Sequence, residues 1–122
     1  MFGGLRLKDG RVDLKLHGLF PIVTFARAAA IRHGIAARPT EERLRLLGEA
    51  NRAPAAEIAM LDRAHALIIS LLLEQQRRDI MSGLKPSNMA DPSWLDAQGK
   101  TRLKKALSSL DNIAELARAA MF

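Results

Sequence analysis

An acid, an amine and an imidazole stand at alternate positions in Asp13, Lys15 and His17. On an extended chain, alternate side chains share one side, so these three could present an acceptor, a cation and a titratable ring together, with Val12, Leu14 and Leu16 packing opposite. Such a face could hold an anionic group or orient a polar ligand. The same spacing also describes a surface ion pair with no measurable role.

The remaining chemistry-bearing residues are more scattered. His17, His33 and His65 lack the short spacing of a metal pair, and the absence of Cys removes thiolate ligands, thiol nucleophiles and disulfides. Glu41 and Glu42 are adjacent carboxylates, but they follow Thr40, a candidate N-cap, where negative charge already complements the helix dipole. Lys100, Arg102, Lys104 and Lys105 form a basic cluster that fits either an acidic partner or a solvated face. No Walker loop, GxGxxG, HExxH or GxSxG occurs, and the Gly-Ser loop with close carboxylates that nucleotidyl transfer needs is missing; Gly3-Gly4 alone cannot cradle a phosphate.

The elements that would position these groups are mainly helical. The entry, residues 5–17, reads as extended with an Asp9-Gly10 turn. A first helix spans about 19–33, with Pro21 in its first turn, Gly34 as a left-handed stop, and Leu19, Ile22, Val23, Ala26, Ala29 and Ala30 inward. A short helix covers 41–50. A third runs over 54–82, from Pro54 to Gly83 without an internal breaker, and should be the central, most enclosed rod at about 40 Å long. His65 and Gln75 lie on its apolar stripe and are expected to point inward. A linker with Pro86 and Pro92 crosses over, and a last helix, 96–121, starts at an Asp96 N-cap and turns Leu103, Leu107, Leu110, Ala114, Ala117 and Met121 inward. The fold class is all-α, a single four-helix-bundle-like domain with a short extended N-terminal segment.

Composition agrees. The 122 residues are 48% hydrophobic with one Trp, no Tyr and four Phe, which favours an aliphatic helical core. The net charge of +6 favours anionic partners; without RGG tracts or interleaved aromatics, a basic nucleic-acid-binding domain is the third and weakest reading, which a steep salt dependence of affinity for RNA or DNA would favour. The longest apolar run, residues 66–73, is too short for a membrane span, and the start lacks a signal-peptide layout, so a cytoplasmic protein is expected.

The run at residues 10–23, GRVDLKLHGLFPIV, resembles the opening of the putative nucleotidyltransferase substrate-binding domain. Ala26-Arg27, His33-Gly34-Ile35, the helix start at 40–44, Gln75, Pro86-Ser87-Asn88, Leu95 and Phe122 follow in the order of that family. Two departures stand out. Leu71-Leu72 precedes Glu74-Gln75 where the family often has Arg-Leu, and Gly99 should fray the first turn of the last helix.

The resemblance implies a non-catalytic substrate- or acceptor-binding domain, the C-terminal part of a bacterial signalling protein that also carries CBS, cyclic-nucleotide-binding and uridylyltransferase-like catalytic modules. Nucleotide and divalent metal would belong to that catalytic domain, with no cofactor on this chain. The partners implied are the upstream nucleotidyltransferase domain in cis and a PII-like protein or small acceptor. Asp13, Lys15, His17 and Arg27 would face the catalytic domain, Lys15 and Arg27 attracting phosphate or an acidic group and Asp13 orienting them. Gln75 and Asn88 are secondary binding candidates. The competing reading is a helical dimerisation or regulatory module anchored by Met1-Phe2 and Met121-Phe122.

Overall fold

A computed structural model describes residues 7–121. Met1, Phe2, the Gly3-Gly4 pair, the first two residues of the expected entry segment and Phe122 lie outside the described residues. Strands β1 (Leu7–Lys8) and β2 (Arg11–Asp13) pair antiparallel, with Leu7 opposite Val12 and Lys8 opposite Arg11. Asp9 and Gly10 turn the hairpin at φ 54° and 77°, the two left-handed conformations that a two-residue turn of this hand requires.

The extended entry ends at Asp13 rather than His17. Asp13 Oδ1 accepts a hydrogen bond from Leu16 N–H at 2.9 Å, and Lys15–Leu19 forms a widened helical turn in which the Phe20 N–H reaches the Lys15 carbonyl. A side-chain oxygen that satisfies an otherwise unpaired N–H favours helix over strand, and here it outweighs the alternating pattern. Leu14 is therefore fully buried while Leu16 is 55% exposed, which breaks the expected shared face. Gly18 lets this turn approach the third helix closely, since a Cβ there would lie 2.8 Å from Ile68 Cδ1.

Helix α1 (Phe20–Arg32) follows, with Pro21 in its first turn and Gly34 at φ 69° beyond its end. Its inward residues are Ile22, Phe25, Ala26, Ala29 and Ala30; Val23, expected inside, is exposed, and Phe25 takes its place. Helix α2 (Thr40–Glu49) begins one residue before the predicted start, with Pro39 flanking it and Glu41 and Glu42 in the first turn. Helix α3 (Ala55–Met81) runs between Pro54 and Gly83 as its breakers predict. In the crossover, β3 (Met89–Ala90) adds to β2, with Val12 opposite Ala90 and Asp13 opposite Met89, completing a three-stranded sheet that the sequence reading did not anticipate.

The last helical stretch is divided. Helix α4 (Ala97–Ser108) passes through a tight turn, Ser109–Asn112, into α5 (Ile113–Met121). Ser108 and Ser109 donate their hydroxyls to the carbonyls of Lys105 and Ala106 there. The tighter turn has about three residues per turn instead of 3.6, so the inward face slips in phase. Leu103 and Ala106 are buried before it and Leu110 within it; after it Leu116 and Ala120 are buried, and Ala114 is exposed. Gly99 does not fray the start. Its N–H donates to the Asp96 cap at 2.6 Å, and a Cβ there would crowd Asp96 Oδ1 at 3.1 Å.

Counting α4 and α5 as one rod, the packing closes a ring. Helix α1 packs on α2 and α5, and α3 packs on α2 and α4, around one core with Leu14, Ile22, Leu44, Leu47, Ile68 and Leu103 at its centre. Each such side chain contributes roughly 1.5–3 kcal/mol by leaving water. In a ring every rod keeps an outward face, so α3 is not enclosed all round: Leu73 and Ile80 are each 62% exposed.

Candidate functional site

The hairpin, the widened turn and the crossover enclose a cleft of about 580 Å³. Lys8, Asp9, Arg11, Asp13, Leu16, His17, Ser87 and Met89 contribute to its lining. The hairpin register sets Lys8 directly opposite Arg11, so two cations stand side by side, with the carboxylates Asp9 and Asp13 in the same lining.

Arg11 is held in place from behind. Its Nη1 donates to Asp79 Oδ1 at 3.3 Å and to the Met89 carbonyl at 3.1 Å, while 29% of the side chain stays exposed. Asp79 is 2% exposed, and its Oδ1 also accepts from Gln75 Nε2 at 2.9 Å; its Oδ2 has no hydrogen-bond partner among the described residues. A buried acid that anchors a partly exposed guanidinium fixes the cation before any ligand arrives, which lowers the ordering cost of binding. Asp91 lies in the same network. The Ser93 side chain and backbone N–H, then the nearby Arg11, hold its carboxyl below the usual value against the opposing effect of burial.

The expected site residues divide accordingly. Asp13 and His17 meet at the cleft, but Asp13 Oδ1 is engaged in capping Leu16, so it orients neither Lys15 nor Arg27. Lys15 and Arg27 are exposed and line none of the cleft; Arg27 sits on the outward face of α1. Gln75 is 3% exposed and serves as a clamp rather than a ligand contact: its Oε1 accepts from Asp91 N–H and from Trp94 Nε1, each at 2.7 Å. Arg78 stacks over the Trp94 ring at 4.4 Å, so the crossover is fastened to α3 from two sides. Asn88 contributes its carbonyl, which accepts from Leu14 N–H at 3.1 Å, and only its neighbours Ser87 and Met89 line the cleft.

His33 Nε2 bonds the Ala120 carbonyl and Arg32 Nε bonds the Met121 carbonyl, so both tie α1 to α5. His65 is half-buried on α3, not directed fully into the core. Among the described residues no group of three or more His, Asp or Glu side chains is placed to hold a metal ion, and no helix is long and apolar enough to cross a membrane. The sequence reading passed over Lys8 and Arg11. A signal was present, because a two-residue Asp-Gly turn places its flanking residues opposite each other. The partnership with Asp79, across 68 positions, left no local trace.

A family model described as "Putative nucleotidyltransferase substrate binding domain" matches residues 1–121. No curated protein and no solved structure matches the chain.

Proposed function

Because this chain belongs to the nucleotidyltransferase substrate-binding family, we propose that the cleft between hairpin, widened turn and crossover receives the anionic group of the acceptor, with Arg11 as its fixed cation. The observation that carries this is the double anchoring of Arg11 beside Lys8. Lys8 and His17 supply further donors at the rim, and Ser87 and Met89 close one side. The acceptor is a small molecule or a PII-like protein with an exposed phosphate or carboxylate.

The outward face of α1 supports a neighbour. Leu16, Phe20, Val23 and Ile31 are exposed apolar residues that follow one another at helical spacing around Arg27, and Leu16 also borders the cleft. We assign this face to a nucleotidyltransferase domain in cis, which would bring nucleotide and metal ion to the cleft mouth while this domain holds the acceptor without catalysing transfer. The larger protein is read as a bacterial, cytoplasmic signalling protein with CBS and cyclic-nucleotide-binding modules, on the resemblance carried by residues 10–23.

The test uses the chain joined to its natural preceding catalytic domain. Lys8→Ala/His17→Ala should lower kcat/KM for the acceptor by about tenfold or more, as loss of charge-assisted contacts does, and leave the KM for nucleotide unchanged. Unaltered acceptor kinetics in a folded double variant would refute the assignment. A second reading, association through helices, is favoured by exposed Ile69, Leu73, Ile80 and Leu84 along and just beyond α3. Light scattering that finds only monomers at high concentration removes it.

A further inference from the structure

A second concavity, of about 350 Å³, lies between α3 and α4. Its floor is apolar: Ala64 and Ala106 are buried, and Met60 and Leu67 flank them. The small alanines keep the trough open where larger residues would close the seam between the helices.

Its charged lining is of one sign. Arg63 from α3 and Arg102 and Lys105 from α4 line the trough, and no carboxylate does. Among the described residues none of these three forms an ion pair. Arg45, by contrast, pairs with Glu42 and Glu49, and Arg77 and Arg78 pair with Glu74, while Arg27, Arg38 and Arg52 are like the trough cations in forming no ion pair among the described residues. What sets the trough apart is that three cations converge on one apolar floor. The basic cluster of α4 is thereby divided by helical geometry. Arg102 and Lys105, three apart, share the trough, whereas Lys100 and Lys104, four apart, lie on another stripe and have interactions of their own.

We propose that this trough binds a small organic anion, its apolar body on Met60, Ala64, Leu67 and Ala106 and its acidic group among Arg63, Arg102 and Lys105. The volume falls at the low end of ligand sites, which run from about 300 to 1,000 Å³. Each wall extends about two helical turns, roughly 10 Å, too short for the patch of about 800 Å² per partner that a stable protein contact needs. The site shares no lining residue with the acceptor cleft, so it stands or falls independently of that reading.

Anilinonaphthalene sulfonate is a suitable probe, with uncharged phenylnaphthylamine and inorganic sulfate as its two halves. Titration followed by fluorescence and amide NMR should show saturable single-site binding of the whole probe, with the largest shifts at Ala64, Leu67 and Ala106. Arg102→Ala/Lys105→Ala should weaken it by about tenfold, in line with the loss of charge-assisted contacts, whereas Arg45→Ala/Arg77→Ala, which removes equal charge elsewhere, should not. Equal affinity in both double variants, no saturable binding, or shifts centred elsewhere overturns the proposal. So does loss of probe binding when the natural preceding domain is attached, which would assign the trough to a protein contact instead.

Discussion

The two concavities hold their cations in opposite ways. In the cleft, Arg11 is fixed by Asp79 and by the Met89 carbonyl, and Asp79 is in turn held by Gln75. In the α3/α4 trough, Arg63, Arg102 and Lys105 stand on their own helices without a carboxylate among the described residues. A cation anchored from behind presents a defined geometry and suits recognition of one shape. Unanchored cations around an apolar floor adapt to a ligand and lose side-chain freedom when it binds. Anchoring also ties the cleft to the stability of the whole domain, while the trough can change with little effect on folding.

That contrast can be broken most directly at Asp79. Asp79→Ala should cost about 3 kcal/mol in urea denaturation, because it removes the anchor of Arg11 and the partner of Gln75 within the core. Arg102→Ala/Lys105→Ala should stay within about 0.5 kcal/mol, the usual range for surface changes. Comparable losses in the two would show that the cleft cation is no better anchored than the trough cations.

A smaller effect belongs to the clamp. Gln75→Met keeps the volume but leaves Trp94 Nε1 and Asp91 N–H without their acceptor, for an expected loss of about 2 kcal/mol. Trp94 is the sole tryptophan, so its emission should shift to the red as the crossover loosens. Unchanged emission would indicate that the stacking of Arg78 fastens the crossover unaided.

The smallest effect is on acid stability. The folded value of Asp91 is lowered, chiefly by Ser93, so its contribution is complete above the ordinary carboxylate value of about 4 and fades as pH falls through the lowered one. Asp91→Asn should flatten that part of the pH–stability curve, measured by thermal melts between neutral and acid pH. A curve identical to that of the parent would place the acid sensitivity elsewhere, for instance at Glu74, which Arg77 lowers in the same direction.

The sequence by itself determined most of the rod ends, though not the break at Ser109–Asn112 or the helical turn that starts after Asp13. Asp9-Gly10, Gly34, Pro54, Gly83 and Asp96 mark real turns, stops and caps, because each acts through backbone geometry or a hydrogen bond within one turn of its own position. Tertiary structure decided which faces those rods show. The slip at Ser109–Asn112 exchanges Ala114 for Leu116 in the core, and the capping by Asp13 separates Leu16 from Leu14. It also joined Arg11 to Asp79 and placed Arg63 beside Arg102. Those pairs are remote along the chain, and their meeting depends on how packed helices are rotated about their axes, a degree of freedom that burial of the whole core settles and no local pattern encodes.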